Sequence, residues 1–122
     1  EVMVSFTPHL APMKRGMLTT CYLDLLETGF TTEEIRDVYY NFYKNEPFIR
    51  VLPAGELPET KNVAATNYAD IGVVVDNRLN RLIVISAIDN LGKGSSSQAV
   101  QALNIMAGFN ETEGLLNPGL YL

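Results

Sequence analysis

Cys21 and His9 are the single cysteine and the single histidine of this chain, and they are the residue types that could form a nucleophile–base pair. Cys21 lies in a segment of alternating apolar residues, a setting typical of a small buried cysteine, and no nearby cation or helix start would favour its thiolate. His9 follows Pro8 at the end of a predicted strand, where side chains tend to project into clefts. The sequence therefore disfavours Cys21 as a nucleophile and leaves structural and functional roles for His9 equally open.

Two polar turns could bind an anion. The first, residues 14–16 (KRG), follows His9 and supplies two cations that suit a phosphate or a carboxylate, although a solvated turn is the simpler interpretation. The second, residues 89–97 (DNLGKGSSS), precedes a predicted helix, whose free amide groups and dipole favour an anion or a polar cofactor group. Small residues that merely begin a helix explain this second turn equally well. It is not a P-loop, because Ala87 stands where that motif needs glycine.

Patterns along the chain predict the elements that would position these turns. Alternation with a period of two predicts strands over residues 2–7 and 17–26, the second with both of its faces largely covered. Thr31 and Glu34 have the spacing of a capping box, and the apolar stripe that follows predicts a helix ending before Pro47. The remaining predictions are a short strand over 48–52, an irregular connection over 53–65, a hairpin of strands 68–75 and 82–88, a helix over 98–107 with Ala99, Leu103 and Met106 on one face and Gly108 as C-cap, and an extended arm from Asn110.

Together these elements predict one α+β domain over residues 1–122, with helices covering one side of a sheet. The other side needs a cover as well, so another domain or subunit is implied. We expect a homo-oligomer formed through the open sheet face. The chain begins at Glu1 rather than at an initiator methionine, and we interpret it as part of a longer protein.

The composition excludes several classes of function. A formal net charge of −5 argues against a nucleic-acid partner, because binding to phosphate backbones needs clustered Lys and Arg. No apolar run approaches the roughly 20 residues that span a bilayer, so we predict no membrane partner and a cytoplasmic location. One histidine and no carboxylates at ligand spacing predict that there is no metal site.

Two long segments resemble a known family. Residues 6–16 (FTPHLAPMKRG) and residues 89–94 (DNLGKG), continuing to 98–101 (QAVQ) and 104–106 (NIM), are similar to the C-terminal part of N-acetyl-gamma-glutamyl-phosphate reductases. With the hairpin between them, the resemblance covers nearly the whole chain. It implies an α+β domain with a mixed, largely antiparallel sheet and helices on one face, similar to the C-terminal domain of glyceraldehyde-3-phosphate dehydrogenase-like enzymes.

The resemblance also implies an activity. Members of this family use NADPH and a catalytic cysteine to convert N-acetyl-gamma-glutamyl phosphate, a small-molecule substrate, into N-acetylglutamate 5-semialdehyde in arginine biosynthesis. The N-terminal dinucleotide-binding domain, the family's cysteine motif and its histidine-rich segment have no counterpart in this chain, and Cys21 falls outside that motif. We therefore expect no catalytic residue here and an inactive fragment.

Site roles are carried over only at matching positions. The resemblance implies that Asn90 lies near the nicotinamide carboxamide, with Lys93 and Gly94 shaping the cofactor pocket behind it. It implies a supporting role on the substrate side for His9 and Arg15. The serines at 95–97 depart from the alanine and glycine of many relatives but leave the helix start intact.

There are two alternatives to this reductase, one a related enzyme and the other a module of a different class. A related semialdehyde dehydrogenase domain would carry a histidine shortly after the Arg15-Gly16 turn, and Met17 stands there instead. A non-catalytic dimerisation module that keeps the fold would lack a dinucleotide fingerprint upstream in the same reading frame.

Overall fold

The computed structural model describes residues 3–120, which form one four-stranded sheet and two α-helices. The strands are β1 (Met17–Asp24), β2 (Ile49–Val51), β3 (Ala69–Asp76) and β4 (Arg81–Ile88). The helices are α1 (Thr32–Tyr43) and α2 (Ser97–Ala107). A 3-10 turn over Thr60–Asn62 interrupts the long connection before β3, and a π-helical turn over Gly92–Ser96, which we call the glycine turn, leads into α2.

The strand order is β1-β4-β3-β2, and the pairing is mixed. Strand β4 is antiparallel to both β1 and β3, whereas β2 is parallel to β3. The predicted hairpin is confirmed: Ala69 pairs with Ile88 and Asp76 with Arg81 across a tight polar loop. The expected mixed, largely antiparallel α+β sheet is confirmed as well.

Helix α1 begins at the predicted capping box. Thr31 Oγ1 accepts a hydrogen bond from the Glu34 N–H at 3.2 Å, and the Glu34 carboxylate accepts one from the Thr31 N–H at 2.8 Å. The helix packs across β3 and β2, where its apolar stripe meets a cluster of four buried side chains. The cluster consists of Ile71, Val73, Val75 and Leu82, with Ile35, Tyr39 and Tyr43 of the helix against it.

The prediction that both faces of the strand after Gly16 are covered was wrong. Every residue of β1 is exposed, and Cys21, expected to be buried, is exposed with them. The reason is that β1 lies at the edge of the sheet, two strands away from β3, and α1 packs over the opposite half. Both faces of β1 therefore remain open in this chain.

The strand predicted over residues 2–7 is also wrong where it can be judged. Val2 lies outside the described residues, and residues 3–7 have no strand structure. Their apolar side chains are almost fully exposed, as with Met3 at 96% and Phe6 at 81%. Alternation alone cannot make a strand, because backbone pairing with a neighbour is needed, and β1 pairs only with β4 among the described strands.

The apolar face predicted for α2 does not form a core contact. Leu103 is 58% exposed and Met106 is 85% exposed, and Ala99 is exposed too. The buried residues of α2 are the polar Gln101 and Asn104. Helix α2 therefore contacts the rest of the chain through hydrogen bonds. Its C-terminus follows the prediction, because Gly108 adopts the left-handed conformation at φ 73°.

Candidate functional site

Asp89 organises the place where β4 ends. Its side chain has no exposed surface, and its carboxylate accepts the Arg15 Nε–H at 3.0 Å (Oδ1) and 2.8 Å (Oδ2). The N–H groups of Leu91 and Gly92 donate to Oδ1 at 2.9 and 3.1 Å, and the N–H of Ala65 donates to Oδ2. One buried carboxylate thus joins three segments: the turn at Arg15, the loop before β3 and the start of the glycine turn.

These contacts hold Asp89 in its charged form. Burial by itself raises the pKa of this carboxyl, since it penalises the charge. The hydrogen bond from Arg15 and those from the backbone of Leu91, Gly92 and Ala65 oppose this and bring the pKa below its ordinary value of 3.8. Asp89 is therefore an ionised anchor rather than a group that exchanges protons near neutral pH.

Asn90, the predicted nicotinamide-side residue, is hydrogen-bonded to the turn that contains Arg15 and Gly16. Its Oδ1 accepts the N–H of Gly16 at 2.7 Å. Gly16 has φ of +112°, and a Cβ there would lie 2.5 Å from Cβ of Thr60, so glycine is required on two grounds. The Nδ2 of Asn90 makes no hydrogen bond within residues 3–120, which leaves it able to donate to a ligand.

The glycine turn is packed closely against the loop before β3. A Cβ added to Gly92 would lie 2.6 Å from the carbonyl oxygen of Thr66, and one added to Gly94 would lie 3.2 Å from that of Asp89. Gly94 donates its N–H to the same Asp89 carbonyl at 2.8 Å. Gly92 is buried and Gly94 is exposed, so Gly94 is the more accessible of the two to a ligand.

Lys93, predicted to shape the cofactor pocket, points into a polar network inside the chain. Its Nζ donates to Gln101 Oε1 at 2.6 Å and lies 5.5 Å from the centroid of the Phe48 ring. Burial lowers the pKa of Lys93, while the carboxylates of Glu111 and Glu46 oppose that shift. In this arrangement Lys93 supports the glycine turn from its inner side.

The same network fastens α2. Gln101 also accepts from Asn67 Nδ2 at 2.9 Å and donates to Glu111 at 2.6 Å. Asn104 donates to the carbonyls of Glu111 and Glu113 at 3.2 and 3.0 Å. Buried polar groups without partners are costly, so this connected set explains why α2 buries polar rather than apolar residues.

His9 is not brought to this site. It lies in the exposed arm that precedes Arg15, and its Nδ1 is 3.1 Å from the carbonyl oxygen of Thr7. Cys21 lies on the middle of β1, on the sheet face that carries Val84. Of the sequence-predicted residues, the structure therefore gathers Arg15, Asn90, Lys93 and Gly94 around the end of β4, without His9.

Asp89 is the residue whose importance the sequence analysis missed. An Asp that follows a strand and precedes a glycine often accepts hydrogen bonds from the next two or three backbone N–H groups, and Asp89 does so. That local signal was present in residues 89–92. Its pairing with Arg15 crosses 74 positions and has no local signal.

Residues 3–120 contain neither a metal-ligand cluster nor a membrane-spanning helix. In that part of the chain no three His, Cys, Asp or Glu side chains are grouped closely enough to hold a metal ion. None of its helices has the length and apolar character needed to cross a bilayer.

Comparison with known proteins finds a matching family model and similar sequences. A family model described as "Semialdehyde dehydrogenase, dimerisation domain" matches residues 1–90. The N-acetyl-gamma-glutamyl-phosphate reductase of Acetivibrio thermocellus is 59% identical over 122 residues, which is all of this chain and 35% of the relative. The reductase of the same name from Pelotomaculum thermopropionicum is 56% identical over 121 residues, covering 99% of this chain and 35% of the relative.

Solved structures agree on the fold. Aspartate semialdehyde dehydrogenase II from Vibrio cholerae superimposes with a TM-score of 0.60 at 15% identity, over 77% of this chain and 28% of that one. The chain spans about a third of the length of the curated relatives it matches. The resemblance to N-acetyl-gamma-glutamyl-phosphate reductases is confirmed, and by the family match over residues 1–90 this chain belongs to the semialdehyde dehydrogenase dimerisation-domain family.

Proposed function

We propose that this chain is the C-terminal dimerisation domain of an NADP-dependent N-acetyl-gamma-glutamyl-phosphate reductase. The whole enzyme would reduce N-acetyl-gamma-glutamyl phosphate to N-acetylglutamate 5-semialdehyde, in the cytoplasm, as a step of arginine biosynthesis. The observation that carries the proposal is 59% identity to a reductase of that name across all 122 residues. Identity at that level over a full domain is far above the 15% that accompanies the shared fold alone.

Asn90 is the residue best suited to the cofactor side. With Oδ1 bound to the Gly16 N–H, the amide has a defined orientation, and its Nδ2 remains available as a donor. Such a donor fits the carbonyl oxygen of a nicotinamide carboxamide. When bound, NADPH would supply the hydride, and Asn90 would orient the ring that carries it. Lys93 and Gly94 would act indirectly, by keeping the glycine turn in shape behind Asn90.

Arg15 and His9 are proposed for the substrate side. Arg15 is held from behind by Asp89, and its side chain is 29% exposed, so its guanidinium has a fixed direction and an accessible edge. His9 lies on the arm six residues earlier and is exposed. Its participation would require the arm to fold over the site when the rest of the enzyme is present.

The nucleophile and the dinucleotide site are proposed to lie elsewhere in the reductase. Cys21 is exposed on an edge strand, and within residues 3–120 no hydrogen bond joins it to His9, whose Nδ1 lies against the carbonyl oxygen of Thr7 instead. A cysteine acting as nucleophile needs a group that stabilises its thiolate. We therefore expect chain 1–122 to have no reductase activity alone and no tight binding of NADPH.

The test is a chimera in which this chain replaces the matching segment of the Acetivibrio thermocellus reductase. The two segments align over all 122 residues, so the replacement keeps the length of the domain. We expect the chimera to oxidise NADPH in the presence of N-acetyl-gamma-glutamyl phosphate and to release the semialdehyde. The isolated chain, assayed in parallel, serves as the inactive control, and calorimetry with NADPH tests its lack of tight binding.

The Asn90→Ala variant of the chimera tests the site. We expect a loss of activity together with weaker NADPH binding, because the orienting donor is removed. Asn77→Ala, in the exposed loop between β3 and β4, is the matched control and should leave both unchanged. A folded chimera with no activity on the acyl phosphate would overturn the proposed reductase and favour a non-catalytic dimerisation module.

A further inference from the structure

One side chain of helix α2, Gln101, binds two separate segments of the site. It is 8% exposed, and its Oε1 accepts the Nζ–H of Lys93 at 2.6 Å and the Nδ2–H of Asn67 at 2.9 Å. A carboxamide oxygen has two lone pairs, and both are used here. A single oxygen atom of α2 therefore joins the glycine turn to the loop before β3.

The two donors adjoin a close backbone contact between these segments. Lys93 follows Gly92, and Asn67 follows Thr66. A Cβ at Gly92 would lie 2.6 Å from the Thr66 carbonyl oxygen, so the two backbones touch at this point. The hydrogen bonds to Gln101 lie one residue beyond the contact on each segment. Gln101 thereby fixes how far the glycine turn stands from the loop.

The Lys93 amine is partly buried and has its acceptor in Gln101. Its Nζ lies 5.5 Å from the centroid of the buried Phe48 ring. The Glu111 carboxylate, which accepts from Gln101 Nε2 at 2.6 Å, favours the charged form of the amine. A partly buried cation that loses its acceptor has to turn toward water. Because Lys93 stands three residues after Asn90, such a movement displaces the turn next to Asn90.

We propose that Gln101 is a positioning residue for Asn90 and acts through Lys93. None of its hydrogen bonds within residues 3–120 goes to Asn90, so the glycine turn carries its effect. The hydrogen bond from the Gly16 N–H to Asn90 Oδ1 reports the result, because it requires the carboxamide to point in one direction. The inference deepens the proposed function, and its meaning for NADPH rests on that function.

The first experiment follows the Gly16–Asn90 hydrogen bond in the 122-residue chain by ¹⁵N-resolved NMR. Gln101→Met removes the acceptor and the donor while keeping a side chain of similar length. We expect the Gly16 N–H to exchange with solvent about tenfold faster relative to the amides of β3 and β4, since one hydrogen bond to a charged group is worth about that factor. The side-chain amide signals of Asn90 should shift as well.

Two further variants separate positioning of the turn from fastening of α2. The exchange Q101E/E111Q moves the carboxylate to position 101 and the amide to position 111, so all three hydrogen bonds of Gln101 can form again. We expect it to restore the slow exchange of Gly16. Asn104→Ala is the matched control, because Asn104 is buried on the same helix and donates to the carbonyls of Glu111 and Glu113, not to the glycine turn. It should leave the Gly16 exchange unchanged.

The second experiment measures the effect on the cofactor in the chimera. We expect Gln101→Met to raise the KM for NADPH about tenfold and to leave the KM for the acyl phosphate unchanged, because Arg15 is held by Asp89 instead. In the Asn90→Ala background the same substitution should have no further effect on the KM for NADPH, since the residue that it positions is gone. A purely structural role of Gln101 would add to the loss in that background.

Unchanged Gly16 exchange in Gln101→Met, an equal effect of Asn104→Ala, or no recovery in Q101E/E111Q would overturn the inference. If Gln101→Met does not fold, Lys93→Met carries the test, because it removes the donor on the glycine turn and leaves the other contacts of Gln101. The two proposals fail separately. An inactive chimera beside the expected Gly16 changes in the chain removes only the reductase. An active chimera whose Gln101→Met variant keeps its KM for NADPH removes only the positioning role.

Discussion

The buried carboxylate of Asp89 accepts hydrogen bonds from four donors, and each donor belongs to a segment that forms the site. Arg15 approaches from the turn before β1, Ala65 from the loop before β3, and Leu91 and Gly92 from the glycine turn. Removing the charge would weaken all four contacts at once. The effect on stability should therefore exceed that of any single surface ion pair.

We predict that Asp89→Asn lowers the free energy of unfolding at pH 7 by about 2–3 kcal/mol, the range for hydrogen bonds to a buried charge. The folded-state pKa of Asp89 lies below its ordinary value of 3.8. Its contribution is thus complete well above pH 3.8 and is lost as the pH falls through the lower folded pKa. Urea denaturation between pH 2 and 7 should show a shallower acid dependence for the variant.

Asp76→Asn is the control for this experiment. Arg78 lowers the pKa of Asp76 chiefly through their side-chain hydrogen bond, but the pair lies at the exposed hairpin loop. Its substitution should change stability much less. If Asp89→Asn has the same stability and the same pH dependence as the unmodified chain, Asp89 is not the anchor described here.

Among the elements, the glycine turn has little space around its backbone. It must pass within contact distance of the loop before β3 in order to present Asn90 next to Gly16. Gly92 meets the carbonyl of Thr66, which is backbone and cannot rotate away. A side chain at position 92 therefore forces one of the two segments to move.

We predict that Gly92→Ala destabilises the chain by about 1–3 kcal/mol, the usual cost of overpacking. Its Cβ would lie 2.6 Å from the Thr66 oxygen, against 3.2 Å for the nearest atom to a Cβ at Gly94. Gly94→Ala should consequently cost less, and the two variants can be compared by thermal unfolding. If Gly92→Ala is as stable as Gly94→Ala, the loop before β3 moves to accept the added methyl group and the prediction is wrong.

For the whole molecule, the dominant feature is the apolar surface that β1 leaves open. Leu18 and Tyr22 are 53% and 66% exposed and lie on the sheet face opposite α1, next to Ala87 and Ile83 of β4. Residues 56–58 cover this face over β3, at Gly72, and Ala87 of β4 is buried, so the open part of the face lies toward β1. An exposed apolar face of this kind is typical of a protein–protein interface, in agreement with the dimerisation-domain family.

We predict that the chain forms a homodimer through this face. Leu18→Arg and Tyr22→Arg should each weaken association at least about tenfold, because a central apolar contact is replaced by a charge. Leu26→Arg is the control, since Leu26 is fully exposed in the turn after β1. Sedimentation equilibrium measures all three, and a compact monomer at every concentration would contradict the prediction.

The sequence by itself determined the local elements. The capping box at Thr31 and Glu34, the hairpin of β3 and β4, and the Gly108 cap were predictable because each depends on residues a few positions apart. The segments that resemble N-acetyl-gamma-glutamyl-phosphate reductases were recognisable for the same reason, as contiguous motifs. The position of Asn90 after β4 followed directly from them.

The tertiary structure decided which of these residues meet and which are covered. Arg15 and Asp89 are 74 residues apart, and only the pairing of β1 with β4 brings them together. Residues 3–7 alternate like a strand but have no strand to pair with, and Lys93 turns inward because Gln101 offers it an acceptor. Such outcomes depend on which surfaces pack against each other, and alternation along the chain does not contain that information.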